Sequence, residues 1–301
     1  MTLEQDRSGA TDPTGGTGEL RRAGTAYLEV DGLRMRYRRL GAGEPVLLLH
    51  GIGRSLEDWD EQFDRLAGRF DLIAVDLPGF GWSTRVPGRT TLAGLAGALP
   101  PLLTALGVPA PVHVVGNSLG GAVAMRFAAD RPDLVRSLVL ANSAGFGREV
   151  TIGLRLLAIR PISRRLLKPS RRVAARAVRD LFGVDFVTED RIELAYAVAS
   201  QPHRADTMLE IAHELGTFRG IRPQWRQELL EAVERHRIPT LALWGERDSV
   251  LPAAHLRAVV SLLPHAETHL LTDAGHMPQI ERPDEFAPLV TSFLERHPVG
   301  G

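Results

Sequence analysis

After a polar start, this chain settles into a rhythm of short apolar runs separated by helix-length amphipathic segments. Residues 1–24 are rich in Thr, Gly and Asp and hold no apolar run, so they read as a mobile tail with nothing to bury. From Ala26 to Tyr37, apolar and polar residues alternate about an Asp31-Gly32 turn, the pattern of a β-hairpin. Apolar runs then follow at Val46–Leu49, Leu72–Val75, Val112–Val115, Leu138–Leu140, Leu241–Trp244 and His269–Leu271. Most are continuous, as in strands buried on both faces of a mostly parallel sheet. Amphipathic segments near 57–68, 90–106, 119–130, 253–263 and 283–296 predict intervening helices. This alternation predicts an α/β fold, an open, mostly parallel central sheet flanked by helices on both faces.

One stretch breaks the rhythm. Between Phe146 and about Arg237 no buried strand is evident, and the segments are helical and rich in Arg, Ala and Leu. Ligands of open α/β sheets lie beyond the carboxyl ends of the strands, so helices inserted here are placed to wall a site. The predicted division is a tail (1–24), a core formed by 25–146 and 237–299, and a helical cap (147–236) inserted after the sixth strand. The first half of the cap carries Arg155, Arg160, Arg164, Arg165, Lys168, Arg171, Arg172, Arg176 and Arg179. The first reading of this run is the solvated outer face of amphipathic helices; the other is a basic rim that attracts anionic substrates or a partner.

Composition narrows the classes. At 301 residues and 44% hydrophobic, the chain can bury a large core. A formal net charge of zero provides no global field for nucleic acid or an acidic membrane. With no cysteine, disulfides, thiol nucleophiles and thiolate metal sites are excluded. The start lacks the apolar segment of a signal peptide, and no stretch approaches a membrane span. The expectation is a cytoplasmic protein, monomer or homodimer, acting on a small molecule without metal or cofactor.

The strongest chemical signal is Val112-His-Val-Val-Gly-Asn-Ser-Leu-Gly-Gly121. A strand ends at Gly116, a helix starts after Ser118, and Gly116 and Gly120 flank the serine. A serine on so tight a turn needs glycine on both sides to avoid clashes; in return its Oγ is exposed beside a helix N-terminus.

Together with His50-Gly-Ile-Gly53, Asp76-Leu-Pro-Gly-Phe-Gly-Trp-Ser83, Trp244-Gly-Glu-Arg-Asp248 and Gly275-His276, this segment resembles the α/β-hydrolase superfamily, in its capped serine-hydrolase branch. The resemblance runs from about residue 26 to 297. It implies a triad in the order serine, acid, histidine: Ser118 as nucleophile, Asp248 as acid, His276 as base. A histidine can take the serine proton and return it, and an aspartate on the far ring nitrogen fixes the tautomer. Asp273 and Glu246 rival Asp248 by position, and Asn142 stands where some relatives carry the acid, but an amide cannot serve as a carboxylate. His113, His265 and His269 read as structural, and Asp76 as part of a structural loop. By the same resemblance, the backbone N–H groups of Ile52 and Leu119 form the oxyanion hole, while His50 organises its loop. Gly51, Asn117 and Met277 are placed beside the substrate.

A serine in the elbow favours acyl chemistry. Two substrates compete: a carboxylic ester, ranked first, and a meta-cleavage-type diketone cut at a carbon–carbon bond. The elbow with Asn117, Ala141-Asn-Ser-Ala-Gly-Phe-Gly147 and Trp59 resemble the diketone hydrolases. Arg54, Glu61 and Met277 depart from them. A third class, a ligand-binding protein on a hydrolase scaffold, would show a lost triad residue, and all three are present.

Overall fold

The computed structural model describes residues 23–159, 163–164, 167–182 and 184–299. Nearly all of the expected tail, with Arg160 and Arg165 of the basic run, lies outside them.

The hairpin forms as expected. Strands β1 (Thr25–Val30) and β2 (Leu33–Leu40) pair antiparallel across Asp31 (φ 49°) and Gly32 (φ 78°), a turn with two left-handed residues. Strands β3 (Glu44–Leu49), β4 (Phe70–Val75), β5 (Val112–Asn117) and β6 (Val135–Ala141) follow. A two-residue ribbon, β7 (Gly216–Thr217) and β8 (Gly220–Ile221), precedes β9 (Thr240–Gly245) and β10 (Glu267–Leu271). The eight-stranded sheet runs β1-β2-β4-β3-β5-β6-β9-β10 and is parallel from β4 to β10.

Helices α1 (Asp60–Leu66), α2 (Leu92–Gly97), α3 (Leu99–Ala105) and α4 (Leu119–Asp130) separate the early strands. The single helix expected over 90–106 is two, because Pro100 and Pro101 can open α3 but cannot continue α2. After β6 come α5 (Ile152–Leu157), α6 (Arg171–Phe182), α7 (Glu189–Ala199), α8 (Arg204–Leu215) and α9 (Pro223–His236). The ribbon sits between α8 and α9, so the stretch read as free of strands holds two very short ones. Two residues are too few to show a period. Helices α10 (Ala254–Leu262), α11 (Pro278–Glu281) and α12 (Pro283–Glu295) complete the chain.

Each central strand sends alternate residues to opposite faces. Leu47, Leu49, Val114, Leu138 and Trp244 pack into one apolar layer, and Val46, Leu48, Val115, Val139 and Leu243 into the other. The register levels the carboxyl ends: Leu49 pairs with Gly116, Asn117 with Ala141, and Ala141 with Leu243. Residues 50, 118 and 142 therefore emerge along one sheet edge.

Candidate active site

Ser118 sits between β5 and α4 with φ 55° and ψ −115°, a conformation that costs a non-glycine residue about 1–3 kcal/mol. The surroundings hold it there. Ser118 N–H donates to the Ala141 carbonyl (3.1 Å), and Ala144 N–H donates to the Ser118 carbonyl (3.0 Å). The flanking glycines are needed for contact: a Cβ at Gly116 would overlap the backbone of Gly120, and one at Gly120 would overlap the carbonyls of Leu49 and His50. A Cβ at Gly121 would strike Ser143. The elbow is welded to its neighbours on three sides.

His276 follows β10, and its Nδ1 lies 2.8 Å from Asp248 Oδ2, both side chains being buried. Asp248 sits after β9. Its Oδ1 accepts N–H bonds from Val250 (2.7 Å) and Leu251 (2.9 Å), while its Oδ2 also accepts from Asn142 Nδ2 (2.5 Å). Burial pushes the Asp248 carboxyl up, but His276, the Asn142 amide and the Leu251 N–H outweigh it and hold the pKa below the usual value. Asp248 is therefore a carboxylate at neutral pH, and the proton between the pair belongs on His276 Nδ1. That leaves Nε2 as the free ring nitrogen.

The histidine loop is clamped from both sides. Glu281 accepts the N–H of Gly275 on Oε2 (2.7 Å) and of Met277 on Oε1 (2.9 Å). Asn117 Nδ2 donates to the His276 carbonyl (3.1 Å), tying the residue before Ser118 to the residue expected to act as base. Among the described residues no hydrogen bond joins the Ser118 hydroxyl to His276. Bonds of this kind often tighten only when a substrate closes the site.

Ser118, Leu119 and Ile52 line one cavity of about 80 Å³. Its wall is mostly apolar and comes largely from the inserted helices: Val150, Leu154, Ala158, Ile211, Leu215 and Trp225. Arg155 is its charged member, with Nε held by the Val150 carbonyl (2.9 Å). Gly51 abuts the serine, since a Cβ there would stand 3.3 Å from Ser118 Cβ. Asn117 and Met277 do not line this cavity. Asn117 is fully buried with its amide nitrogen on backbone carbonyls, and Met277 packs with Val178, Phe182 and Ile280.

The remaining residues singled out from the sequence fall into supporting places. His50 Nε2 accepts the Leu77 N–H (3.0 Å), so its Nδ1 donates to the Gly51 carbonyl (2.8 Å). Burial lowers its pKa to about 4, which keeps it neutral as a tie between two loops. Asp76 accepts N–H bonds from Leu56 and Trp82 and meets Arg36, which also meets Glu57. His113 bonds Ser137 and Glu44, and His265 bonds Glu234. In the basic run, Arg171 pairs with Glu189 and Glu193, Arg176 with Asp180, and Arg164 with Asp206, all at the surface. A solvated face describes them well. Asn142, Glu281 and the apolar wall carried no sequence signal for these contacts.

A family model described as the alpha/beta hydrolase family matches residues 46–289. The chain belongs to that family. Over 273 residues it is 36% identical to a dihydrolipoyllysine-residue acetyltransferase component of an acetoin cleaving system from Cupriavidus necator, covering 89% of this chain and 68% of that one. Lipase 1 of Psychrobacter immobilis is 30% identical over 274 residues, with 87% and 81% covered. A solved meta-cleavage product hydrolase from Pseudomonas fluorescens superposes with TM-score 0.76 at 25% identity, covering 90% of this chain and 97% of that one. Family membership agrees with the eight-stranded, mostly parallel sheet. Among the described residues no helix is long and apolar enough to cross a membrane, and no group of His, Asp and Glu is arranged to hold a metal ion.

Proposed function

We propose that this protein is a serine hydrolase that cleaves a small carboxylic ester through an acyl-enzyme on Ser118. The observation carrying this reading is the convergence at one sheet edge: a strained serine opening onto an apolar cavity, and a buried imidazole–carboxylate pair tied through Asn117 to the same elbow. In this reading Ser118 Oγ attacks the ester carbonyl while His276 Nε2 takes its proton, and Asp248 stabilises the imidazolium on Nδ1. The tetrahedral oxyanion receives the N–H groups of Ile52 and Leu119, the latter at the positive end of α4. The bond to the leaving alkoxide breaks as His276 returns the proton. Water, activated by the same imidazole, then attacks the acyl carbon and frees Ser118. Residues 147–236 act as a cap whose helices supply the cavity wall. Gly51 gives the substrate close access, while Asn117 and Met277 act by holding the serine and histidine loops in place.

A mostly apolar wall suits the hydrocarbon part of an ester, as does likeness to a lipase. A carbon–carbon bond hydrolase is the second reading, supported by likeness to the meta-cleavage enzyme. The likeness to a protein named as an acetyltransferase component also keeps the reading within acyl chemistry. A panel of p-nitrophenyl esters of graded acyl length, run beside a dienone diketone on wild type and Ser118→Ala, separates these readings. Ester turnover lost in Ser118→Ala supports the proposal; turnover of the diketone alone replaces it with the second reading.

A further inference from the structure

Helix α6 buries one stripe and gives the rest to water. Ala174, Val178 and Phe182, spaced four apart, are buried, while Arg171, Arg172, Arg176 and Arg179 are exposed. The C-terminal end of the buried stripe meets the loops that leave the sheet edge. Val178 and Phe182 share an apolar cluster with Met277 and Ile280, which follow His276. The Phe182 ring centre lies 5.4 Å from the guanidinium of Arg54, in the turn that carries Ile52. That turn is closed by the Arg54 N–H, which donates to the Gly51 carbonyl (3.3 Å). The third contact is polar: Ser249 Oγ donates to the Asp180 carbonyl (3.1 Å) and so ties the residue after Asp248 to the same helix end. A carbonyl in the last turn has no intrahelical N–H to accept, which leaves it available for this bond.

One helix end therefore touches the loops of the proposed oxyanion donor, acid and base. Phe182 is the point they share. Arg191 of α7 lies 5.5 Å from the same ring, so a core cation and a cap cation both rest on it. Arg54 is fixed in turn by Asp58, which accepts its Nε–H (3.1 Å). None of these α6 residues lines the apolar cavity, whose helical wall comes from α5, α8 and α9. The inner face of α6 is spent on loops rather than on substrate.

Resting on the serine-hydrolase reading, we infer that Phe182 is a positioning residue. Docked on the core, the end of α6 holds the Ile52 turn, the Asp248 loop and the His276 loop in one register. Placement of this helix thereby sets the rate of the chemical step, while the other inserted helices shape the substrate wall. Small displacements are enough, since a shift of about 1 Å in a reacting group can cost roughly a hundredfold.

The test compares Phe182→Ala, Phe182→Leu and Val173→Ala with wild type on a p-nitrophenyl ester, with active sites counted by a fluorophosphonate. The expected kcat per site is lower by about tenfold to a hundredfold in Phe182→Ala, with KM changed less than about threefold. Phe182→Leu refills the cluster without the aromatic face, so it restores kcat to within about threefold to fivefold of wild type. Val173→Ala, on the exposed side of the same helix, keeps the wild-type kcat. Hydrogen exchange read by mass spectrometry follows the linkage without turnover. Peptides covering 50–56, 246–251 and 274–281 should exchange faster together in Phe182→Ala, with the elbow peptide 116–122 unchanged. A lower melting temperature or a raised KM with kcat per site retained overturns the inference, as does faster exchange confined to α6. Should Phe182→Ala not fold, Phe182→Leu carries both readouts under the same criteria. If wild type hydrolyses no ester, the hydrolase reading fails, and the exchange comparison alone decides whether Phe182 holds the three loops.

Discussion

The sheet edge around Ser118 and the helices inserted after β6 are built on opposite plans. At the edge, glycine brings backbones into contact at Gly116 and Gly120, and Asp248 has all of its close neighbours donating to it. In the inserted helices, Gly153 has open space around its Cα, Val173 is exposed, and Arg171 forms ion pairs in water. In the proposed reading, the first plan fixes a reacting geometry before substrate arrives. The second can vary its wall without disturbing that geometry, and this is where the substrate would be chosen.

Four changes press on this contrast from the rigid side. Asp248→Asn removes the charge that orients His276, and kcat is expected to fall by roughly 10⁴ with the fold intact by circular dichroism. Gly120→Ala drives a methyl group into the Leu49 and His50 carbonyls; a loss above about 4 kcal/mol, or failure to fold, is expected in urea denaturation. His50 supplies a pH test. Its folded pKa of about 4 lies below the ordinary 6.5, so between those values the unfolded chain takes a proton that the folded chain refuses. Stability should fall as pH drops from 6.5 toward 4, by about 3 kcal/mol for this group, and the slope should flatten in His50→Gln. Asn142→Ala strips an amide from the Asp248 carboxylate; kcat/KM should drop roughly tenfold to a hundredfold.

The fifth change comes from the other plan and should be the smallest. Gly153→Ala, in a helix with nothing nearby, is expected to stabilise by up to about 1 kcal/mol in the same urea assay, with activity unchanged. If Gly153→Ala were as damaging as Gly120→Ala, the contrast between the regions would collapse.

Legibility in the sequence followed the same division. Buried parallel strands print themselves as continuous apolar runs, and the expected cores of β3, β4, β5, β6, β9 and β10 all lie within the observed strands. Ser118 announced itself because a strand, a turn flanked by glycine and a helix must follow one another within a few residues. Asp248 and His276 needed the resemblance, since nothing local ties a residue after β9 to one after β10. The clamp by Glu281 and the amide of Asn142 were invisible, because each depends on a backbone N–H or carboxylate that folding alone delivers.

The most direct test of the account is active-site labelling with a fluorophosphonate, followed by peptide mass spectrometry. One adduct per chain is expected on the peptide containing Ser118, absent in Ser118→Ala and formed far more slowly in His276→Ala. An unlabelled Ser118 in a preparation that hydrolyses esters, or labelling at full rate without the imidazole of His276, would contradict it.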